Sequence, residues 1–446
     1  MKNRFATQKL LRPAVAGVLL AALTLPAGAV DLKTADGDWT FSIDGEVNVD
    51  YIFSSCESVN SAVPVTGSNT GGVGGLTCVG SASGSSVSNI GNGLLPAAFT
   101  FGVSTTQAGI DLAAHLGLYP GIATNDGGSP NLQAGSSNGS SNTALGTTGL
   151  DIRQVYMTFG NKDMGTFTLG RNIGLFGADI ILADMTLPGV GAPGSAAGPA
   201  PANTTLGGIG LGYIYTDWLG QIDYTTPDFG GFNLTVGIFD PLNSLSDDFA
   251  TVEAKHAPGF HGKITWTIPL GGEGNKLYFS ATGIQQKQYY IAPPVTTGST
   301  GTPYNYNGTG GDFFGKLDLG GLEVVGYVYG AKGLGTTALF NLGAFSGNGE
   351  LGETRKSYGY LGQVTYKIGE VKLGVNYGDS SLDFADASDE LLNPNLIRSN
   401  RKGTFGIYYS LTKALTLLSE YSYVKDISAA GSNKAQTFNV GAYLGF

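Results

Sequence analysis

Charge and sulfur are scarce in this 446-residue chain, and beyond its first thirty residues no long apolar run is left uninterrupted. Charged residues make up only 13%, and there are two cysteines and three histidines. Two cysteines exclude a disulfide-dense scaffold. His115, His256 and His261 lack metal-ligand spacing, so neither a metal nor a cofactor is expected. No Gly-x-Ser-x-Gly nucleophile motif occurs, and without a nucleophile–base set the chain is not expected to be an enzyme. The stretch from Met185 to Thr216 carries no charge, but Pro188, Pro193, Pro199 and Pro201 break it. A membrane-spanning helix in the mature chain is thereby excluded.

What is present begins with an export signal. Lys2, Arg4, Lys9 and Arg12 precede an apolar run from Ala14 to Leu25, and Ala27-Gly28-Ala29 supplies small residues for cleavage before Val30. The apolar run is shorter than the roughly twenty residues that span a bilayer, so residues 1–29 read as a signal peptide. Losing those four basic residues from a net charge of −10 leaves −14 for residues 30–446. An acidic exported product argues against nucleic acid as a partner. Glycine is abundant, at 72 residues, and mean hydropathy is +0.05. A chain this apolar without a spanning helix points to the other membrane solution, a closed barrel whose backbone groups pair between strands.

Periodicity supports that reading. From Trp39 to Phe53 the odd positions are Trp, Phe, Ile, Gly, Val, Val, Tyr and Phe, and the even positions from Thr40 to Asp50 are all polar. Such period-two alternation marks a strand with one apolar and one polar face, and by itself leaves open whether the apolar face meets a core or lipid. The last strand repeats it with Phe438, Val440, Ala442, Leu444 and Phe446. Ending on an aromatic resembles the assembly signal of outer-membrane barrels.

Sixteen strands are expected, over 39–53, 95–104, 107–119, 148–160, 164–171, 217–226, 231–239, 257–268, 275–288, 310–318, 322–331, 356–368, 371–379, 401–412, 415–424 and 435–446. Connections alternate between tight turns and loops of ten or more residues, the pattern of short periplasmic turns opposite long outer loops. Tyr51, Phe53, Tyr408, Tyr409, Tyr421, Tyr423 and Phe446 suit interfacial girdles. A barrel of sixteen strands leaves an aqueous channel, so one loop must fold inward to narrow it.

Three stretches carry a more specific likeness. They are Arg153-Gln154-Val155-Tyr156, then Gly165 to Asn172 with its Gly-x-x-x-x-Gly-Arg spacing, and Tyr224 to Phe232. With Asp184-Met185-Thr186-Leu187-Pro188 between them, the chain resembles the general diffusion porins of Gram-negative bacteria. The resemblance implies a 16-stranded antiparallel transmembrane β-barrel in the outer membrane, with an inward-folded third loop and a homotrimeric assembly. It implies passive diffusion of small hydrophilic solutes and ions past a constriction where wall cations face loop anions. Carried over residue by residue, Arg153 and Arg171 are the wall cations, and Asp184, with Asp179 nearby, the loop anions. Parity sets Arg171 with Phe167 and Leu169, so a bulge at the strand end must turn it inward.

The chain departs from that family where charge matters. Gly189 stands where a second loop acid is usual, residues 207–216 are uncharged where a third wall arginine is common, and Gly191 to Asn203 is an added small-residue stretch. The family's charge balance does not carry over. A substrate-selective channel with a saturable solute-binding site is the alternative. Cys56 and Cys78, in one loop of an oxidising compartment, are expected to pair. The acidic run Asp379, Asp383, Asp386, Asp389 and Glu390 lacks calcium-loop order. It reads as a solvated outer loop, with bridging of divalent cations to lipopolysaccharide as the other possibility beside contact with outer-membrane lipid.

Overall fold

The computed structural model describes residues 30–35, 37–57, 63, 75–77, 86–122, 150–193, 204–242, 251–252, 256–292, 302–340, 343–346 and 353–446. The expected signal peptide, Cys78 and residues 194–203 lie outside them. Among the described residues sixteen long strands form the wall. The first eight are β1 (Thr40–Cys56), β2 (Ala98–Gln107), β3 (Ile110–Pro120), β4 (Leu150–Asn161), β5 (Gly165–Ile173), β6 (Trp218–Thr225), β7 (Phe232–Phe239) and β8 (Gly259–Pro269). The second eight are β9 (Lys276–Ala292), β10 (Thr302–Leu319), β11 (Leu322–Lys332), β12 (Lys356–Ile368), β13 (Val371–Leu382), β14 (Ser399–Ser410), β15 (Leu415–Ser428) and β16 (Gly431–Gly445).

Each strand pairs antiparallel with its neighbours in the chain, and β16 returns to β1 with Val440 opposite Tyr51. The sheet is therefore a closed barrel with no free edge, which leaves no strand's backbone groups facing hydrocarbon. The final residue extends the closure: Phe446 and Gly45 exchange backbone hydrogen bonds at 2.9 Å in both directions. Short strands Val30–Lys33 and Ser86–Gly91 add to β1, and Thr251–Val252 adds to β9.

Polarity is inverted relative to a soluble protein. On β1 the even residues Glu46, Asn48 and Asp50 are fully buried, while Val49, Tyr51 and Phe53 are about two-fifths exposed. On β14 to β16 the buried positions are Lys402, Thr404, Glu420, Asp426, Asn433 and Asn439, and the exposed ones Phe405, Ile407, Leu417, Phe438 and Val440. The apolar stripe left open by the periodicity thus faces outward, as lipid requires. Tyr51, Phe53, Tyr409 and Tyr421 lie on that outer face. Tyr408 does not: it is buried and donates to Glu420 at 2.6 Å, a correction to the expected girdle.

Turns on one side are tight. Ala108 and Gly109, joining β2 to β3, both have positive φ (51° and 77°), the geometry that matches strand twist in a two-residue hairpin. On the other side the connections are long, with one exception. The expected loop between residues 424 and 435 is a two-residue turn, with Ser428 paired to Gly431. There Asp426 accepts the Asn433 N–H at 2.9 Å. Beyond the lipid zone neither face needs to be apolar, so alternation ends before the strands do.

Two short helices occur among the described residues: α1 (Ala178–Ala183) between β5 and β6, and α2 (Ala387–Leu392) between β13 and β14. The largest apolar cluster is not in the wall alone. Phe176, Ile180, Leu211, Tyr213 and Ile214 of the β5–β6 connection pack with Phe314, Tyr327, Tyr329 and Leu361 from β10 to β12.

Candidate functional site

Residues 174–217 join β5 to β6, and a chain of hydrogen bonds ties them to buried wall side chains. Leu175 N–H donates to His261 Nδ1 of β8 (3.4 Å), and Gly177 N–H to Asp312 of β10 (2.7 Å). Gly177 takes φ 76° as it starts α1, which glycine adopts without a Cβ penalty. Gln363 of β12 accepts from Met185 N–H at 2.7 Å and donates to the Ala183 carbonyl at 2.8 Å. Further along, Glu420 of β15 accepts the N–H groups of Val190 and Gly191, both at 2.8 Å. Gly212 N–H donates to Ser380 of β13 at 2.9 Å.

The two expected loop acids are part of this attachment. Asp179, in the first turn of α1, accepts from Lys263 of β8 and Ser280 of β9 at 2.5 Å, and from Tyr278 at 3.2 Å. Asp184 is buried and accepts from Asn376 of β13 (3.2 Å), from the Tyr213 hydroxyl (2.9 Å) and from Thr186 N–H and Oγ1. Burial, and the Asp184 charge beside it, push the Tyr213 hydroxyl well above its ordinary value, so it stays a donor.

The two expected wall arginines part company. Between β3 and β4 the register slips: Gly117 pairs with Gln154 and Leu118 with Ile152, so Arg153 is the extra residue of a bulge. Arg153 and Gln154 are both buried, while Ile152 and Val155 on either side are exposed. The bulge is at Arg153, not at Arg171. There it meets Asp151 at 3.3 Å, and its guanidinium lies 5.2 Å from the centre of the Tyr119 ring. Arg171 stays in regular register opposite Val155 and is exposed, keeping the outward parity of Phe167 and Leu169. The structure therefore removes Arg171 from the expected cluster, because no bulge reverses its strand there.

Several charged residues were missed. Asp217, just past the uncharged stretch, is pushed up by burial, against which the Trp218 N–H and the charges of Arg171 and Arg153 act. Lys402 is fully buried on β14, with Asp184 and Glu420 as its nearby opposite charges. Parity was the available signal: Lys402 and Glu420 alternate with Phe405, Ile407, Leu417 and Tyr421. Glu420 also answers the departure at Gly189. Its carboxylate occupies the space a side chain at position 189 would need, so a wall acid stands where the loop acid is missing.

The acidic run is not a free solvated loop. Asp389 receives two bonds from Arg355 (2.7 and 2.6 Å), Asp383 pairs with Arg398, Asp379 with Arg401, and Asp386 caps α2. Cys56 is buried at the end of β1. Among the described residues no group of three or more His, Cys, Asp or Glu could hold a metal. His115 stacks on Tyr156 and His261 on Phe239.

Comparison with known proteins gives one direction. The profile of the family described as Gram-negative porin matches residues 14–443. No curated protein sequence matches the chain. Among solved structures, the outer membrane channel DcaP of Acinetobacter baumannii is 16% identical and superposes with a TM-score of 0.63, over 93% of this chain and 99% of that one. OmpT of Vibrio cholerae, expressed in the outer membrane, is 13% identical with a TM-score of 0.52, covering 94% and 100%. OmpF of Salmonella typhi, in complex with daunomycin, is 10% identical with a TM-score of 0.52, covering 94% and 100%.

Proposed function

The chain belongs to the Gram-negative porin family, outer-membrane channels for passive diffusion, and from that premise we propose that it passes small hydrophilic solutes and ions around residues 174–217, which narrow the barrel from within. The observation that carries this reading is the spread of that segment's partners. They begin at β8, beside its own origin, and end at β13 and β15 on the far part of the ring. A segment held at so many points around a closed barrel subdivides the opening and stays put while solutes pass. Size is then limited by the gap between segment and wall, and charge by what lines that gap.

Arg153, Asp179 and Asp184 contribute to this constriction, with Lys402 and Glu420 beside them. Asp179 and Asp184 hold the segment in place as well as supplying negative charge. Residues 1–29 act as the export signal, Cys56 bridges Cys78, and the barrel assembles as a homotrimer in contact with lipid and lipopolysaccharide. The test is purified protein in planar bilayers and in liposomes with neutral sugars of increasing mass. Stepwise ion conductance and swelling rates that fall steeply with solute size are expected. No conductance, or rates independent of size, would overturn the reading.

One observation favours a saturable solute site as a second reading. A cavity of about 60 Å³, open on one side, lies between β1, β4 and residues 174–217, and most of its lining is apolar.

A further inference from the structure

That cavity has walls unlike the polar inner face around it. Leu94, Ile181, Leu187, Ile209 and Trp218 line it, and two charged residues, Glu46 and Arg153, border it. The two charges differ in how they are met. Arg153 has Asp151 and the Tyr119 ring. Glu46 is fully buried, and its Oε2 accepts from the Tyr443 hydroxyl at 3.2 Å. Among the described residues its Oε1, also buried, has no hydrogen-bond partner.

An unmet acidic oxygen beside apolar walls defines a ligand by what it lacks. Burying a carboxylate oxygen without a donor is costly, and that cost disappears when a charged donor arrives. An ammonium group offers three donors and a compensating charge. Apolar walls take part of the hydrocarbon body, and the rest lies at the open side of the cavity. A carboxylate of the same shape would meet Glu46 with like charge, and a neutral alcohol would supply one donor without the charge.

We propose that Glu46 and the apolar cavity beside it form a binding site for small organic amines with an apolar body. The site deepens the channel reading and rests on it, since a solute reaches Glu46 only through the barrel. Occupancy slows passage, so conduction of such amines saturates and bound amine obstructs other ions.

The test uses wild-type protein in planar bilayers with three probes of one shape: 2-phenylethylamine, 2-phenylethanol and phenylacetate. The expected result is a saturable block of potassium current by the amine at neutral pH, at least tenfold weaker for the alcohol and absent for the acid. In Glu46→Gln the advantage of amine over alcohol should collapse to within threefold. Leu182→Trp, which fills the cavity while keeping Glu46, should weaken the amine block at least tenfold. A conducting wild-type channel blocked equally by all three probes, or by none, overturns the amine site and leaves the channel standing. A wild-type protein that conducts nothing overturns the channel reading and the site with it. Should either variant fail to assemble, the wild-type probe series still decides.

Discussion

Glu420, on β15, accepts the backbone N–H of Gly191 at 2.8 Å, and so ties the middle of the long β5–β6 connection to the far wall of the barrel. The same oxygen takes the Val190 N–H, and the other oxygen takes the Tyr408 hydroxyl. Hydrogen bonds to a charged group contribute about 1.5–3 kcal/mol each, so this carboxylate is a strong point of attachment. Glu420→Ala is expected to release the segment around residues 189–191. Single-channel recording should show larger and noisier current, with Glu420→Gln intermediate because it keeps one acceptor oxygen. Unchanged current and noise in Glu420→Ala would mean the clamp does not hold the segment.

The neighbouring position should behave the same way for the opposite reason. At Gly189 any side chain meets the Glu420 carboxylate. Gly189→Asp restores the acid usual in the family and adds a like charge against Glu420. It is expected to be more disruptive than Gly189→Ala, for which overpacking costs about 1–3 kcal/mol. Both should raise current noise as Glu420→Ala does. A quiet Gly189→Asp channel would contradict the placement of Glu420.

Arg153 and Arg171 offer a direct contrast in ion selectivity. Arg153 is buried in its bulge beside Asp151, and Arg171 is exposed on the outward face. Arg153→Ala leaves Asp151 without this partner and should move the reversal potential under a tenfold salt gradient towards cations. Arg171→Ala should not move it beyond scatter. At an effective dielectric near 20, a charge a few ångströms from the ion path is worth roughly a few kcal/mol, enough to be seen. The comparison belongs below about 0.1 M salt, where the Debye length is about 10 Å. A larger shift for Arg171→Ala than for Arg153→Ala would reverse the assignment.

The loop holding α2 should respond to acid. Asp389 is covered by Arg355, Asn393 and the Ala385 N–H rather than by a thick layer of protein. Burial alone raises its carboxyl, but the hydrogen bonds from Arg355 and the Ala385 N–H outweigh it and hold the group below its ordinary 3.8. With the folded value depressed, this stabilisation is complete above pH 3.8 and is lost as pH falls through the folded value. Hydrogen exchange of residues 384–398, corrected for intrinsic rate, should show constant protection from pH 7 to 5 and a fall below 3.8. Asp389→Asn should lack that protection even at pH 7. Protection indifferent to both changes would show that Arg355 does not lock the loop.

Cys56 is expected to be joined to Cys78. Alkylated protein should gain two alkyl groups only after reduction, as read by mass spectrometry. Closing a loop of about twenty residues is worth roughly 3 kcal/mol in the loop's own ordering, while the barrel's ladder is unaffected. Two alkyl groups gained without reductant would exclude the bridge.

All sixteen strands were legible in the residues because each must alternate, apolar towards lipid and polar inward, and that period-two pattern is local. The tight turn at Gly369-Glu370 was legible for the same reason, while the turn at Ala108-Gly109 falls inside the strand expected over 107–119. Strand ends outside the lipid zone were not, since at Asp426 and Asn433 neither face is constrained to be apolar. Alternation also could not say which way its apolar face pointed. Ring closure between Tyr51 and Val440 decided that, by giving the barrel an inside. The site was legible only in part. Sequence singled out Arg153, Arg171, Asp179 and Asp184 as charges near a long connection, but a bulge one residue wide turned Arg153 inward and left Arg171 outward. Glu420 reaches Gly191 across 229 positions, and Tyr443 reaches Glu46 across 397. No local pattern encodes such partners, because they are brought together only when the last strand closes on the first.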